Sequence, residues 1–404
     1  MLYLKHLSSG ATGVRLALVA ILLVAMFTVM EGLPAIAQQA PPPPPEGKPS
    51  QAAPAEAGGP EGDIGPMAIP KKGEAPPEPK PQPAKKIEGM PEYSIKVDTS
   101  LVQVPVLVTT KDGQFIPGLK QGNFRVMEDG VPQRVTKFEV SQAPITAVLV
   151  VEFAARYYRF VYDALNASFV FAQTLKPEDW IAVISFDMRP TIVADFTQDK
   201  RQVMAALSSL RIPGFSETNV FDALYDTLDR VEGIEGRKYI VLVASGCDTF
   251  SRMTYDKVLK KVKDTPNVTI FTISTGEALR IWAEAYGGGR GPGIMPCSVG
   301  SAIDFLQADN QMSTFARMTG GRWFKPRFEG ELPEIFRDIG ANIRNQYVLA
   351  YHPSNPKLDG TYRKLKVEVV APDGGQFHVH DQKGKDVKFQ VIARDGYTAK
   401  HQVE

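Results

Sequence analysis

The sequence predicts an α/β fold: a doubly wound, mostly parallel six-stranded sheet with one antiparallel edge strand, inserted in a β-sandwich built from the N- and C-terminal flanks. Three observations carry this expectation. Between Ile145 and about Asn345, near-continuous apolar runs alternate with amphipathic helical patterns, the mark of a parallel sheet covered on both faces. Two of those runs are separated only by Asp187–Pro190, too short for a crossover, so they form a hairpin. On either side the pattern turns to period-2 β segments, each too small to bury a core alone.

Taken in order, residues 1–37 read as an export signal. Lys5, His6 and Arg15 form a basic start, Leu16 to Val29 is almost wholly apolar, and Ala35-Ile36-Ala37 suits cleavage before Gln38. The apolar run, about 14 residues against the roughly 20 of a spanning helix, favours cleavage over a retained anchor. The folded part is expected outside the cytoplasm, in the periplasm or secreted. It has no membrane contact of its own, apart from an N-terminal anchor if the signal is uncleaved. Residues 38–92 are a linker expected to be disordered. Of 32 prolines, 15 fall between Pro41 and Pro83 with no aromatic residue among them, so little apolar surface is there to offset the entropy of ordering.

The N-terminal β segment, 93–141, alternates through Val102, Val104, Val106 and Val108. It turns at Lys111-Asp112-Gly113 and Glu128-Asp129-Gly130, around the strand Phe124–Met127, and continues in Val135–Val140. In the α/β domain, 142–345, the strand runs are Ala147–Phe153, Trp180–Phe186, Thr191–Phe196, Tyr239–Ala244, Val268–Ser274 and Gly321–Phe324. Helical patterns lie at Phe160–Leu175, Lys200–Leu210, Val220–Val231, Tyr255–Val262, Ala302–Met318 and Leu332–Ile343. The C-terminal β segment, 346–404, holds Tyr347–Tyr351, Lys364–Val370, Phe377–His380 and Val387–Ala393, and is expected to pair with 93–141.

Lys and Arg number 46 against 45 Asp and Glu, a net charge of +1, so there is no electrostatic reason to expect a nucleic-acid partner. Two cysteines exclude a disulfide-dense mini-fold and a four-thiolate zinc site.

This order of elements resembles a von Willebrand factor A domain, and the flanks sharpen the resemblance. The segments Phe124-Arg125-Val126-Met127-Glu128-Asp129-Gly130-Val131-Pro132-Gln133, Gln346-Tyr347-Val348-Leu349-Ala350-Tyr351-His352-Pro353-Ser354-Asn355 and Ala393-Arg394-Asp395-Gly396-Tyr397 look like the VWFA-related family common in Acidobacteria. The resemblance implies a divalent metal over the C-terminal edge of the sheet. Its ligands come from a D-x-S-x-S motif, a Thr loop and an Asp after the fourth strand, with one position open to a partner's carboxylate.

This sequence departs from that set. Glu152, Ala154 and Arg156 stand where Asp, Ser and Ser are expected, and Ser245 stands for the later Asp. Thr218 and Asp222 keep the Thr loop, and Asp248 lies close by. An Arg guanidinium cannot shed its proton and would repel the ion, so no metal or other cofactor is expected. Arg156 is either a solvated residue at a helix start or a cation in the ion's place, pairing with Glu152 or Asp222. Tyr157 and Tyr158 are read as first-turn packing before a binding edge. Cys247 and Cys297 lie in loops after two strands that this domain type places side by side. With export, a disulfide between them is expected, pinning the glycine-rich loop.

No H-E-x-x-H, G-x-S-x-G or P-loop occurs, so no enzyme activity is expected. The glycines of 287–293 lack the Lys-Ser or Lys-Thr of a phosphate cradle. Glu178-Asp179 sits in a turn and needs no chemical role. His378 and His380 share a strand face, which suits a metal only with a third ligand. The expectation is an exported protein-binding module for adhesion or scaffolding, with a degenerate metal-ion-dependent adhesion site and an unidentified protein partner. The alternative is an envelope hydrolase of unrecognised type using the same cleft.

Overall fold

The computed structural model describes residues 101–140, 143–154, 168–210, 217–278, 281, 302–380 and 383–400. The expected signal and linker lie outside the described residues.

The central sheet holds β5 (Thr146–Glu152), β6 (Trp180–Phe186), β7 (Pro190–Thr197), β8 (Lys238–Ala244), β9 (Val268–Ser274) and β10 (Trp323–Phe324), in the order β10-β9-β8-β5-β6-β7. Every neighbouring pair is parallel except β6 with β7, the expected hairpin at one edge. All seven residues of β5, β8 and β9 are buried, which explains their unbroken apolar runs.

Alternate residues of those strands feed two cores. Leu149, Val151, Tyr239, Val241 and Phe271 meet Phe171 and, on α5 (Leu332–Arg344), Ile335, Phe336 and Ile339. Val148, Val150, Ile240, Leu242 and Ile270 face α2 (Val220–Glu232), α3 (Tyr255–Asp264) and α4 (Ala302–Thr319), among them Leu224, Leu228, Val258, Met312 and Phe315. Helix α1 (Lys200–Ser209) starts at Asp199, whose side chain accepts from Arg201 N at 2.9 Å. The first pattern, at 160–175, is described only from 168, where it is helical through 174. In the Glu178-Asp179 turn, Asp179 is buried, accepts from Ile145 N at 3.1 Å and pairs with Arg344.

The flanks interleave. From the N-terminal flank come β1 (Val102–Thr110), β2 (Phe124–Glu128), β3 (Val131–Gln133) and β4 (Val135–Val140). From the C-terminal flank come β11 (Tyr347–Tyr351), β12 (Tyr362–Val369), β15 (Phe389–Ala393) and β16 (Gly396–Thr398). One sheet runs β15-β1-β11-β4 and the other β16-β12-β2-β3. Thus β1 lies between two C-terminal strands, and β2 pairs antiparallel with β12. Val104, Val106, Val108, Val126, Leu349 and Leu365 meet in their shared core. Pro105 is tolerated in β1 because β15 pairs only from Val106 onward, leaving the strand one neighbour at the proline.

Three details differ from expectation, the first being β16 at Gly396–Thr398, which pairs with β12 where no strand was expected. A short strand, β3, follows Glu128, because Asp129 (φ 48°) and Gly130 (φ 82°) make a two-residue turn with both φ values positive. The run Val387–Ala393 divides. Asp386–Val387 (β14) pairs with Val379–His380 (β13) in a separate hairpin, while β15 joins β1.

The three flank motifs converge on one buried network. Glu128 Oε1 lies 3.1 Å from the Arg363 guanidinium, and Glu128 Oε2 accepts from the hydroxyls of Tyr351 (2.6 Å) and Tyr397 (2.9 Å). Arg363 also donates to the carbonyls of Asn355 and Lys357. Burial, reinforced by the Glu128 carboxylate, raises the Tyr351 phenol and pushes that of Tyr397 to about 12. Among the described residues no helix is long and apolar enough to cross a membrane.

Candidate functional site

Glu152 ends β5 and Ser245 follows β8, its parallel neighbour, so both emerge at the C-terminal edge of the sheet. Both are buried. The Ser245 backbone N–H donates to Glu152 Oε2, and its hydroxyl donates to Oε1 at 3.1 Å. Cys247 N in turn donates to Ser245 Oγ at 3.2 Å. Burial raises the Glu152 carboxyl to about 7, against the lowering effect of the Ser245 N–H and hydroxyl. Thr218 Oγ1, fully buried, stands near enough to favour the ionised carboxylate yet has no hydrogen-bond partner among the described residues.

The other two carboxylates are engaged in holding backbone. Asp222, in the first turn of α2, accepts from Arg252 N at 3.0 Å and Met253 N at 2.8 Å, with Arg252 Nε 3.7 Å away. Asp248 Oδ1 accepts from Phe221 N at 3.3 Å and from Ser251 Oγ at 2.5 Å, and Ser251 Oγ accepts from Asp222 N at 3.0 Å. Burial raises the Asp248 carboxyl as well. The Thr218 carbonyl accepts from Thr249 N (2.9 Å) and Phe250 N (3.1 Å). Residues 248–253 are thereby fastened to the start of α2.

The structure brings together Glu152, Thr218, Asp222, Ser245 and Asp248. Ala154 is buried in the core below. Arg156, Tyr157, Tyr158, the 287–293 glycines and Cys297 lie outside the described residues, while Cys247 is buried against Phe305 and Ala308. Ser251 and Thr249 complete the arrangement without any motif to announce them, since a hydroxyl in a loop carries no periodic signal. Asn219 is similar: its Nδ2 donates to Met188 O at 2.8 Å, and its buried Oδ1 has no partner among the described residues.

The family model described as von Willebrand factor type A domain matches residues 152–280, from the Glu152 position to just beyond β9. The chain carries a von Willebrand factor type A domain. The central sheet that contains this match runs on from Thr146 in β5 to Phe324 in β10, with α5 ending at Arg344 on one of its faces. No curated protein matches the sequence at a significant level.

Solved structures similar to this chain include proximal thread matrix protein 1 from the mussel byssus, at 9% identity and a TM-score of 0.37, covering 50% of this chain and 49% of that one. The PilB minor pilin from Streptococcus sanguinis has 10% identity and a TM-score of 0.37, covering 50% and 62%. A von Willebrand factor type A protein from Catenulispora acidiphila has 13% identity and a TM-score of 0.37, covering 69% and 71%. The chain thus spans about half the length of the mussel protein and under two thirds of the pilin.

Proposed function

We propose that the protein is an exported, non-catalytic protein-binding module, used for adhesion or scaffolding, whose metal-ion-dependent adhesion site is degenerate. The observation that carries this reading is the closure of Glu152 by Ser245 on both carboxylate oxygens. A hard divalent cation takes six or more oxygen ligands. Here Glu152 is engaged by Ser245, while Asp222 and Asp248 serve backbone N–H groups. Among the described residues, the donor set does not fit Mg²⁺ or Ca²⁺. Arg156, in the position of a hydroxyl ligand, supports the same reading.

The rim of this edge supports contact with a protein surface. Phe250 is exposed in the fastened loop, and Ile303 and Leu306 are exposed on the first turns of α4. A Cys247–Cys297 disulfide belongs to this proposal: β8 and β9 are parallel neighbours, so the loops after them leave the same edge. Non-reducing peptide mapping should find the pair linked, and intact-mass analysis should find Gln38 first.

The deciding experiment combines stability and capture. Native-state binding of an ion must raise stability by mass action. Melting in millimolar Mg²⁺, Mn²⁺ or Ca²⁺ should therefore match melting in EDTA, and a rise of several degrees with any one ion would overturn the degenerate site. Capture of an envelope protein by the 93–404 chain should be lost in Phe250→Asp. Capture unchanged by that substitution would remove this edge as the binding surface.

A further inference from the structure

We infer that the hairpin of β13 and β14 is a binding site for a borderline divalent transition-metal ion, Zn²⁺ or Cu²⁺, held by His378, His380 and Asp386. The sequence puts two imidazoles on one strand face, and the fold supplies the third ligand. In the antiparallel register His380 lies opposite Asp386, and Val379 lies opposite Val387. Side chains alternate along a strand, so His378, His380 and Asp386 share one face. Val379 turns to the other and packs on the sandwich core. Phe377 and Phe389, flanking the hairpin, meet edge to face at 5.7 Å and fix its base.

The two rings converge on a single carboxylate. His380 Nε2 is 3.1 Å from Asp386 Oδ1, and His378 Nδ1 is 3.5 Å from Oδ2. Without an ion these contacts are ion pairs whenever the imidazoles carry a proton. As the side chains stand, no group of three or more His, Cys, Asp or Glu among the described residues could hold a metal ion, so binding requires the two rings to turn. Each His–Asp separation nevertheless matches neighbouring ligands of one ion: two bonds of about 2.0–2.1 Å at a tetrahedral angle place their donor atoms about 3.3 Å apart. The imidazole centroids are 6.5 Å apart and must turn toward each other. Their side chains are 49% and 57% exposed, so the surrounding packing permits that rotation.

The donor set decides the ion. Two imidazole nitrogens and one carboxylate suit Zn²⁺ and Cu²⁺, whereas Mg²⁺ and Ca²⁺ require all-oxygen cages. The site is independent of the one at Glu152, which lies at the edge of the central sheet.

The test is titration of the full chain with Zn²⁺ by calorimetry and with Cu²⁺ by electron paramagnetic resonance. One equivalent should bind in the micromolar range, with a nitrogen-coordinated copper spectrum. His378→Gln, His380→Gln and Asp386→Asn should each weaken binding at least about tenfold and leave the melting temperature unchanged, while Glu152→Gln binds like the parent. Undiminished binding in the His378→Gln, His380→Gln double variant, or no saturation below millimolar ion, would overturn the inference.

Discussion

At Glu152, a carboxyl that would ionise near pH 4.5 in the unfolded chain keeps its proton up to about pH 7 in the folded one. A folded pKa above the unfolded value gives stability that is fully present below pH 4.5 and lost as the pH rises through about 7. At 1.36 kcal/mol per unit, the loss is on the order of 3 kcal/mol. Urea melts should show the parent losing this amount between pH 4.5 and 8 relative to Glu152→Gln. Parallel profiles for the two would refute the assignment. Arg363 has the opposite dependence on its surroundings, because its charge is buried and answered by Glu128. Arg363→Met leaves Glu128 buried without a counter-ion and should cost about 3–5 kcal/mol. Adding Glu128→Gln keeps an acceptor for the hydroxyls of Tyr351 and Tyr397 and should restore most of that loss in the same denaturant melts.

Gly396 opens β16 where it crosses β12, and a Cβ there would stand 2.2 Å from the Arg363 carbonyl oxygen. Gly396→Ala should therefore force the two strands apart and cost about 1–3 kcal/mol, read as a lower melting temperature with faster amide exchange in β12. Strand existence was legible wherever a buried run had its own flanking breakers, as in β5, β8 and β9. The division at Lys388 was not, because Val387, Phe389 and Val391 keep one period while the chain leaves β13 for β1. At the site, Glu152 and Ser245 could be read position by position as standing where the family resemblance expects Asp. Their mutual closure could not, since the partners are 93 residues apart and only strand adjacency joins them. The same holds for Glu128, Tyr351, Arg363 and Tyr397. The motifs that hold Glu128, Tyr351 and Tyr397 were visible as words, Arg363 lies in none of them, and the buried charge that joins the four appears only when the strands meet.

Across the molecule, the sandwich depends on both ends of the chain, whereas the VWA unit has its own two cores on the faces of the central sheet. A chain ending at Asn345 removes both neighbours of β1 and one of the two partners of β2. Limited proteolysis should then cut rapidly through 101–140 while the 142–345 region stays resistant. Equal resistance of both regions would contradict the shared sandwich. The insertion also has a mechanical consequence. The VWA unit leaves the sandwich after Val140 in β4 and returns at Tyr347 in β11, and these two residues are register partners. Strand β1 runs antiparallel to β11, with its first residue, Val102, opposite Tyr351 at the far end. A pull between the segment before Val102 and the VWA unit drags β1 and β11 in opposite directions along their lengths. All five register pairs, Val102 with Tyr351 through Val106 with Tyr347, then share the load in shear instead of parting one after another.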